Sequence, residues 1–356
     1  MTAATPTPTA ATASARAYPS YGRPLWQRIL LRRESAIIAL LVLVIIVASA
    51  TVPHFAAPIT YDFLLLDMTP VLLIALPMTL VIITGEIDLS VASAMGLSSS
   101  VIGLLTQAHW PFPAAAGIAL LVGAVGGAVN GLLVTRVGLP SLAVTIGTLA
   151  LYRGLAQGLL GTTAVTSFPP FWTDLAISTL PGTLIPAVTI LIVVLAIVFG
   201  MLLHFTPFGR GVYAIGLSSD AAAFSGVKIA RTKFILFVLA GFVSALAGIF
   251  YTLRFGSARG DNATGLELSV IAAVLLGGVS IFGGRGALPG VLAGALLIGV
   301  LASALRLAGI TSDVINVITG TLLVLSVILT SFLAWLQRTR LSAGRKRRET
   351  RGSASG

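Results

Sequence analysis

The chain has 356 residues, of which 56% are hydrophobic and only 9% charged, and its mean hydropathy is +1.03. Apolar stretches of about 20 residues, the length that crosses a bilayer as a helix, recur along most of the sequence, so composition predicts a polytopic membrane protein rather than a water-soluble one. The lack of cysteine excludes disulfides and thiolate metal or redox sites. The net charge of +11 does not indicate nucleic-acid binding, because the basic residues are concentrated in the two tails and one central loop.

The predicted elements run from a polar tail, through a membrane domain, to a basic tail. Proline, threonine and alanine dominate the first 24 or so residues, which predicts a disordered N-terminal tail over 1–35, followed by a transmembrane domain over 36–336 and a basic tail over 337–356. The fold class is all-α with about ten membrane-spanning helices, since uniformly apolar runs do not fit the alternating pattern of barrel strands. The predicted spans are 36–50, 63–84, 89–106, 113–135, 141–160, 184–204, 233–253, 266–282, 287–307 and 314–335.

An internal repeat connects the two halves of this domain. Asp88-Leu-Ser-Val follows Gly85, and Glu267-Leu-Ser-Val follows Gly265; downstream, Gly138-Leu-Pro-Ser resembles Gly309-Ile-Thr-Ser at nearly the same offset. Five predicted spans separate the copies, and five is odd. The sequence therefore predicts an inverted repeat that groups spans two to five against spans seven to ten, an arrangement found in many transporters. Glycines also crowd several spans, at 117, 123, 126, 127 and 131 and again over 290–299, which predicts close helix packing.

Basic residues predict the orientation of the spans. With the N-terminus in the cytoplasm, only Arg153, Arg254, Arg259 and Arg306 of the 22 lysines and arginines fall on the outer side. We therefore expect a multi-pass protein of the bacterial plasma membrane with both termini in the cytoplasm.

The longest polar stretch of the domain, 208–233, is predicted to lie on the cytoplasmic face. Its middle predicts a short helix that Ser218 or Ser219 caps, that Asp220 favours at its N-terminal end and that Gly226 ends. The pattern G-x(4)-A-A-x(3)-G between Gly216 and Gly226 resembles the coupling loop of bacterial ABC importer permeases, which docks on an ATPase; an ordinary loop between spans is the alternative. The candidate coupling residues are Gly216, Asp220, Ala221, Ala222, Ser225 and Gly226.

Further phrases resemble the ribose-type branch of carbohydrate importer permeases over residues 36–335. They include Gly85-Glu-Ile-Asp-Leu-Ser-Val, Asn130-Gly-Leu-Leu-Val-Thr, Tyr152-Arg-Gly-Leu-Ala and Phe282-Gly-Gly-Arg-Gly. Phe255-Gly-Ser-Ala-Arg-Gly-Asp is more similar to the second permease of autoinducer-2 and rhamnose importers than to ribose permeases. Glu86 departs from the glycine that is usual in this branch.

This resemblance implies a permease subunit of an ATP-driven importer for a monosaccharide or a related small polyol or furanose, such as ribose, rhamnose or autoinducer-2. It implies a second permease chain, identical or homologous, a cytoplasmic ATPase and an extracytoplasmic sugar-binding protein as partners. The chain contains no G-x-x-x-x-G-K-[ST] motif, so ATP is expected to bind to the partner, and we expect no cofactor, no metal site and no enzymatic activity in this subunit.

Polar residues within the spans are the candidates for the substrate path, because sugar hydroxyls need hydrogen-bond partners. The candidates are Glu86, Asp88, Ser90, Asn130, Thr145, Thr148, Arg153, Glu267 and Ser269. Serine and threonine also bond back within a helix, and carboxylates also cap helices, so structural roles stay open for each of them. An ion-coupled secondary transporter is the alternative function. A membrane-embedded enzyme is not favoured, because the sequence contains no residue pattern typical of a catalytic site.

Overall fold

The computed structural model describes residues 33–321 together with residues 324 and 325. Most of the predicted N-terminal tail, the whole C-terminal tail and the later part of the tenth predicted span lie outside the described residues. Within them the chain is helical, and its β-structure is limited to two isolated bridges, Val165 with Ala258 and Thr179 with Pro186. The predicted all-α class is confirmed.

Twelve helices are numbered here in chain order. They are α1 Arg33–Thr51, α2 Pro58–Ile83, α3 Val91–Gln107, α4 Phe112–Leu132, α5 Ser141–Leu160, α6 Pro170–Ile177, α7 Val188–Phe205, α8 Pro207–Leu217, α9 Ser219–Phe224, α10 Ile229–Phe255, α11 Leu266–Leu276 and α12 Leu288–Leu307. A π-helical turn, Leu133–Val137, extends α4, and a last helical run covers 312–321. Five segments of the described part are long and apolar enough to cross a membrane: α2, α4 with its π-helical turn, α7, α10 and α12.

Helix α2 occupies the centre of the bundle. Its residues from Thr69 to Ile83 are all buried, and α7, α10, α11 and α12 pack around it. Two of its hydroxyls, on Thr69 and Thr79, donate to carbonyls one turn earlier in the same helix, at 2.7 Å and 2.6 Å. A polar side chain satisfied in this way tolerates an apolar environment. α2 therefore forms the core on which the outer helices pack.

Helices α4 and α10 approach each other most closely along a line of glycines. A Cβ atom on Gly123 would lie 2.5 Å from the carbonyl oxygen of Gly241, and one on Gly127 would lie 2.2 Å from that of Phe237. Gly131 approaches Phe234 in the same way, whereas Gly117 faces open space. Without side chains at the crossing, the two backbones gain dispersion contacts that larger residues would prevent. Close packing is confirmed for this part of the glycine set.

The two ends of α10 mark the two ends of the molecule. Lys233, near its start, pairs with Glu86, which we use to define the Gly85 end. Its last residue leads directly into the loop 256–265, which defines the Gly265 end. A 27-residue helix is about 40 Å long, so the two copies of the repeated phrase lie on opposite sides of the bundle.

The helices that follow the repeated phrases run in opposite directions. α3 starts at the Gly85 end, and its Gly96 and Gly103 lie against Asn262 and Ala258 of the loop 256–265. α11 starts at the Gly265 end and leads into the loop 277–287, whose Gly284 amide donates to the Ile83 carbonyl at 2.8 Å. The backbone of the repeat also recurs, since φ is +82° at Gly85 and +87° at Gly265, and +80° at Gly138 and +82° at Gly309.

Several helix boundaries differ from the predicted ones, and two of these differences have a clear local cause. The eighth predicted span, 266–282, contains a helix of only 11 residues, about 16 Å long, that ends at Leu276. Gly277 and Gly278 stop it, because a Cβ on Gly277 would lie 2.4 Å from the Val291 Cα atom and φ of Gly278 is +92°. The first helix begins at Arg33, inside the predicted disordered tail, since the polar residues there precede the apolar run in the same helix.

Candidate functional site

A closed polar cluster lies at the Gly85 end, where α2 ends and α3 begins. Asp88 is 1% exposed, and its Oδ1 accepts hydrogen bonds from the Ser90 amide at 2.9 Å and the Ser90 hydroxyl at 2.6 Å. Asn130 of α4 donates from Nδ2 to the Ser90 hydroxyl oxygen at 2.8 Å. We call Asp88, Ser90 and Asn130 the loop cluster. These hydrogen bonds fix the shape of the loop, while Oδ1 of Asn130 is buried without a hydrogen-bond partner among the described residues.

The predicted path residues of α5 contact the same loop. Thr145 donates from its hydroxyl to the Ile87 carbonyl at 3.2 Å, and the Ser141 hydroxyl accepts from the Ile87 amide at 3.2 Å. Thr148 lies one turn later and donates to the Val144 carbonyl of its own helix at 3.1 Å. The side chains at the start of α5 therefore hold it to the loop by hydrogen bonds to the main chain of Ile87, whereas the Thr148 hydroxyl is satisfied within α5.

Glu86 pairs with Lys233 of α10 and is separate from the loop cluster. The Lys233 Nζ donates to Glu86 Oε1, and the two side chains are 16% and 14% exposed. Lys233 lies seven residues after Gly226, so the pair joins the α2–α3 loop to the segment that follows the predicted coupling helix. Lys233 was not predicted as a site residue, because 147 residues separate it from Glu86 and no local pattern relates them.

A second polar network occupies the Gly265 end. Arg153 of α5 donates from Nη1 to the Asn262 carbonyl at 2.6 Å, and the Asn262 amide donates to the Ser99 hydroxyl at 2.9 Å. Ser99 in turn shares a hydrogen bond of 2.7 Å with Thr252 of α10. Asn262, Ser99 and Thr252 were missed from the sequence, since polar residues of this kind carry no spacing signal across three helices.

Glu267 and Ser269 begin α11 beside this network. Because Arg153 is bonded to Asn262 of the loop 256–265, it lies with Glu267 at the Gly265 end and not with the carboxylates of the Gly85 end. Glu267 Oε2 is buried without a hydrogen-bond partner among the described residues, and Ser269 is half-buried. The predicted path residues thus form two groups at opposite ends of the bundle.

One face of α5 is exposed and lined by small residues. A Cβ on Gly147, Gly154 or Gly158 would meet no atom within 4 Å, and Ala143 and Ala150 lie on the same face. Large exposed side chains such as Ile146 and Leu151 flank this line of small residues, whereas α7 exposes large side chains such as Ile190 and Val194 without such a line. The α5 face therefore offers the kind of surface on which another helix packs closely.

The predicted coupling segment contains the expected short helix, α9. The Ser218 hydroxyl accepts from the Ala221 amide at 3.2 Å as its N-cap, Asp220 lies in its first turn, and Gly226 follows its end with φ of +81°. Ala221 and Ser225 are exposed, whereas Ala222 is 2% exposed and packs within the segment. The most exposed large side chain of α9 is Phe224, at 94%, which was not predicted as a coupling residue.

Helix α8 joins α9 to both halves of the repeat. A Cβ on Gly216 would lie 1.8 Å from the Ile83 carbonyl oxygen and 2.3 Å from the Gly284 amide nitrogen. The Tyr213 hydroxyl also donates to the Gly286 carbonyl at 2.7 Å. The segment therefore rests on the end of α2, in the first copy of the repeat, and on the loop 277–287, in the second.

An exposed ion pair lies in the loop 256–265 at the other end. Arg259 donates from Nε and Nη2 to the two carboxylate oxygens of Asp261, each at 2.9 Å. These hydrogen bonds from Arg259 hold the pKa of Asp261 below its usual range. The bidentate geometry keeps both side chains in a defined position on the surface of the loop.

Comparison with known proteins identifies the family. The branched-chain amino acid transport system / permease component family matches residues 60–346. The chain belongs to this family. It is 36% identical over 323 residues to the autoinducer 2 import system permease protein LsrD of Photorhabdus laumondii subsp. laumondii, an alignment that covers 86% of this chain and 96% of the relative. The LsrD proteins of Yersinia enterocolitica and Yersinia pseudotuberculosis are 37% and 38% identical over 294 residues, or 79% of this chain and 87% and 86% of the relatives. No solved structure matches the chain.

These matches confirm the predicted resemblance to sugar importer permeases. The family assignment and the bundle of apolar helices make the chain a multi-pass membrane permease of the ABC importer type. The relatives are transport subunits, in keeping with a role without catalysis.

Proposed function

We propose that this chain is the translocating subunit of an ATP-driven importer for a monosaccharide or related small polyol or furanose of the ribose, rhamnose or autoinducer-2 class. The observation that carries the proposal is the position of α8 and α9. Helix α8 rests at once on the end of α2 and on the loop 277–287, and α9 follows it directly, so a force applied to α9 reaches both copies of the inverted repeat through α8. The similarity to the LsrD proteins supports the substrate class.

In this proposal a separate ATPase binds ATP and docks on α9 from the cytoplasm. Ala221, Phe224 and Ser225 form the contact surface, because their side chains are exposed. Asp220 and Gly226 shape the helix and Gly216 seats it, while Ala222 supports it from within. Both chain termini lie on the same, cytoplasmic side of the plasma membrane.

A second permease, identical or homologous, packs against the small-residue face of α5, and the substrate passes along the surface between the two chains. An extracytoplasmic binding protein delivers the substrate at the Gly265 end. The loop cluster and the Arg153 network then serve to hold each end of the bundle in shape, since most of their polar groups are bonded internally. Glu86 couples the α2–α3 loop to α10 through Lys233.

The test is uptake into vesicles that contain this chain, its partner permease and the ATPase encoded nearby, with the binding protein outside the vesicle lumen. We expect uptake of at least one of ribose, rhamnose and autoinducer 2 that requires ATP on the α9 side and stops when the ATPase is omitted. Uptake by the permease chains alone under a proton or sodium gradient would instead establish an ion-coupled secondary transporter.

A further inference from the structure

A polar concavity of about 510 Å³ opens at the Gly265 end between loops from the two halves of the chain. Gln157, Thr162 and Thr163 line it from the end of α5 and the segment that follows, and Arg259 and Asp261 line it from the loop 256–265. Its remaining lining residues are two glycines, so every side chain that lines it carries a polar group, while methyl and methylene carbons form the rest of the wall. A concavity lined in this way fits a small ligand that carries several hydrogen-bonding groups on a carbon frame.

The concavity is held in shape by contacts between the two loops. Val165 and Ala258 exchange backbone hydrogen bonds at 3.0 Å and 2.9 Å. Gly260 lies directly on α5, where a Cβ would be 2.7 Å from the Gln157 Cα atom. Because the walls are fixed in advance, a ligand does not have to order them when it binds.

Each lining side chain keeps hydrogen-bonding capacity for a ligand. Asp261 accepts one proton from Nε and one from Nη2 of Arg259, which leaves both Nη1 protons and one Nη2 proton, while each carboxylate oxygen retains a lone pair. The Thr163 hydroxyl donates to the Leu160 carbonyl at 2.6 Å and can still accept, and the Gln157 amide both donates and accepts. Arg259 and Asp261 cancel each other's charge, so the site favours a neutral molecule with several hydroxyls over an ion.

We propose that this concavity is a substrate subsite, at the mouth of the permease, for a small neutral polyol such as a monosaccharide or a furanose diol. The inference rests on the importer function proposed above. It assigns the residues that hold the substrate after the binding protein has released it and before it moves along the α5 face. A neighbouring concavity of about 450 Å³ shares Arg259 and Asp261 and extends the polar surface towards Asn262 and Thr264. Binding is weak and reversible, because the site is open and its groups are solvated before the ligand arrives.

The experiment measures binding without transport. The full-length chain in lipid nanodiscs is mixed with ribose, rhamnose or autoinducer 2, in the absence of binding protein, and saturation-transfer difference NMR reports contact with each probe. We expect signals for at least one probe, and Arg259→Gln and Thr163→Val should each weaken its apparent affinity about 3- to 10-fold. Both side chains lie at the surface of the fold, and unchanged thermal unfolding midpoints verify that the variants are folded.

Arg136→Gln is the matched control. Arg136 lines a concavity of similar size, about 490 Å³, at the Gly85 end, and its replacement should leave the signals unchanged. Absence of signal for all three probes, or equal affinity in the wild type and both test variants, overturns the subsite. If Arg259→Gln weakens capture of the binding protein but not the sugar signals, the surface is a docking site for that protein and the subsite is also rejected. Failure of the importer function appears separately, as loss of ATP-driven uptake by the wild type with sugar signals intact.

Discussion

At the scale of residues, the carboxylates singled out in the sequence have three different environments. Asp88 is buried with two donors on one oxygen, Glu86 forms an ion pair, and Glu267 has a buried oxygen with no partner in the described part of the chain. A buried acceptor that receives hydrogen bonds stabilises its surroundings, while the same group left alone costs free energy. The three carboxylates therefore should not respond alike to substitution.

Asp88→Ala should lower the stability of the permease, because the Ser90 amide and hydroxyl would lose their acceptor within the bundle. We expect a loss of about 1–3 kcal/mol, and a smaller loss for Asp88→Asn, which keeps an oxygen at Oδ1. Thermal unfolding midpoints of the purified protein in detergent measure both. Asp220→Asn, at an exposed carboxylate, is the control, and a midpoint for Asp88→Ala equal to that of the control would contradict this role.

Some residues of the two networks could be predicted from sequence, but their partners could not. Asp88, Ser90 and Asn130 stand out because polar groups are rare within apolar spans. Arg153 and Asn262 are 109 residues apart, and their contact depends on how α5 meets the loop after α10. No local pattern contains that information.

At the scale of elements, the crossing of α4 and α10 depends on the absence of side chains at a few positions. Gly127→Ala would place a Cβ 2.2 Å from the Phe237 carbonyl oxygen, so the two helices would have to separate. We expect a loss of stability of about 1–3 kcal/mol, measured by thermal unfolding in detergent. Gly117→Ala, in the same helix but facing open space, should be tolerated, and equal unfolding midpoints for the two variants would show that the close approach contributes nothing.

The exposed side of α9 leads to a second prediction. Phe224→Asp should abolish co-purification of the ATPase and leave membrane insertion intact, because Phe224 is 94% exposed and removing its ring changes no packing within the permease. Phe205→Asp, at another exposed phenylalanine, is the matched control. Normal ATPase capture by the Phe224 variant would remove α9 from the docking surface.

The start and end of α9 followed from its sequence, because a capping serine, an acidic first turn and a glycine after the last turn act locally. The end of α11 did not. Val279, Ile281 and Phe282 continue the apolar pattern beyond Leu276, whereas the chain turns at Gly278, where φ is +92°, and Gly277 lies against Val291 of α12. Hydropathy predicts which residues are buried away from water, but it does not predict where a helix ends within an apolar run.

At the scale of the whole molecule, the ion pair between Glu86 and Lys233 joins the two copies of the repeat beside α8 and α9. Glu86→Gln or Lys233→Gln should lower the stimulation of ATPase activity by the loaded binding protein about 5-fold or more, because motion of α10 would reach the α2–α3 loop only through helix packing and no longer through the ion pair. The exchange Glu86→Lys with Lys233→Glu should restore much of it. Lys228→Gln is the control, and a charge exchange no better than the single variants would exclude coupling through this pair.

The inverted repeat could be predicted from two short phrases because glycines with positive φ and polar residues at helix starts recur for geometric reasons in both copies. The relation between the copies in space could not, since the phrases lie at opposite ends of a helix about 40 Å long and never touch. The number of predicted spans between the copies predicted that the copies run in opposite directions. The structure shows in addition that α8 contacts both copies.

Helix α10 contains no proline and is unbroken from Ile229 to Phe255, and its tightest contact with α4 falls near its midpoint, around Gly241. Under the proposed function, a stiff helix fixed near its middle would move its two ends in opposite directions. A displacement of the Gly85 end would then be accompanied by an opposite displacement of the Gly265 end, without any flexible hinge between them.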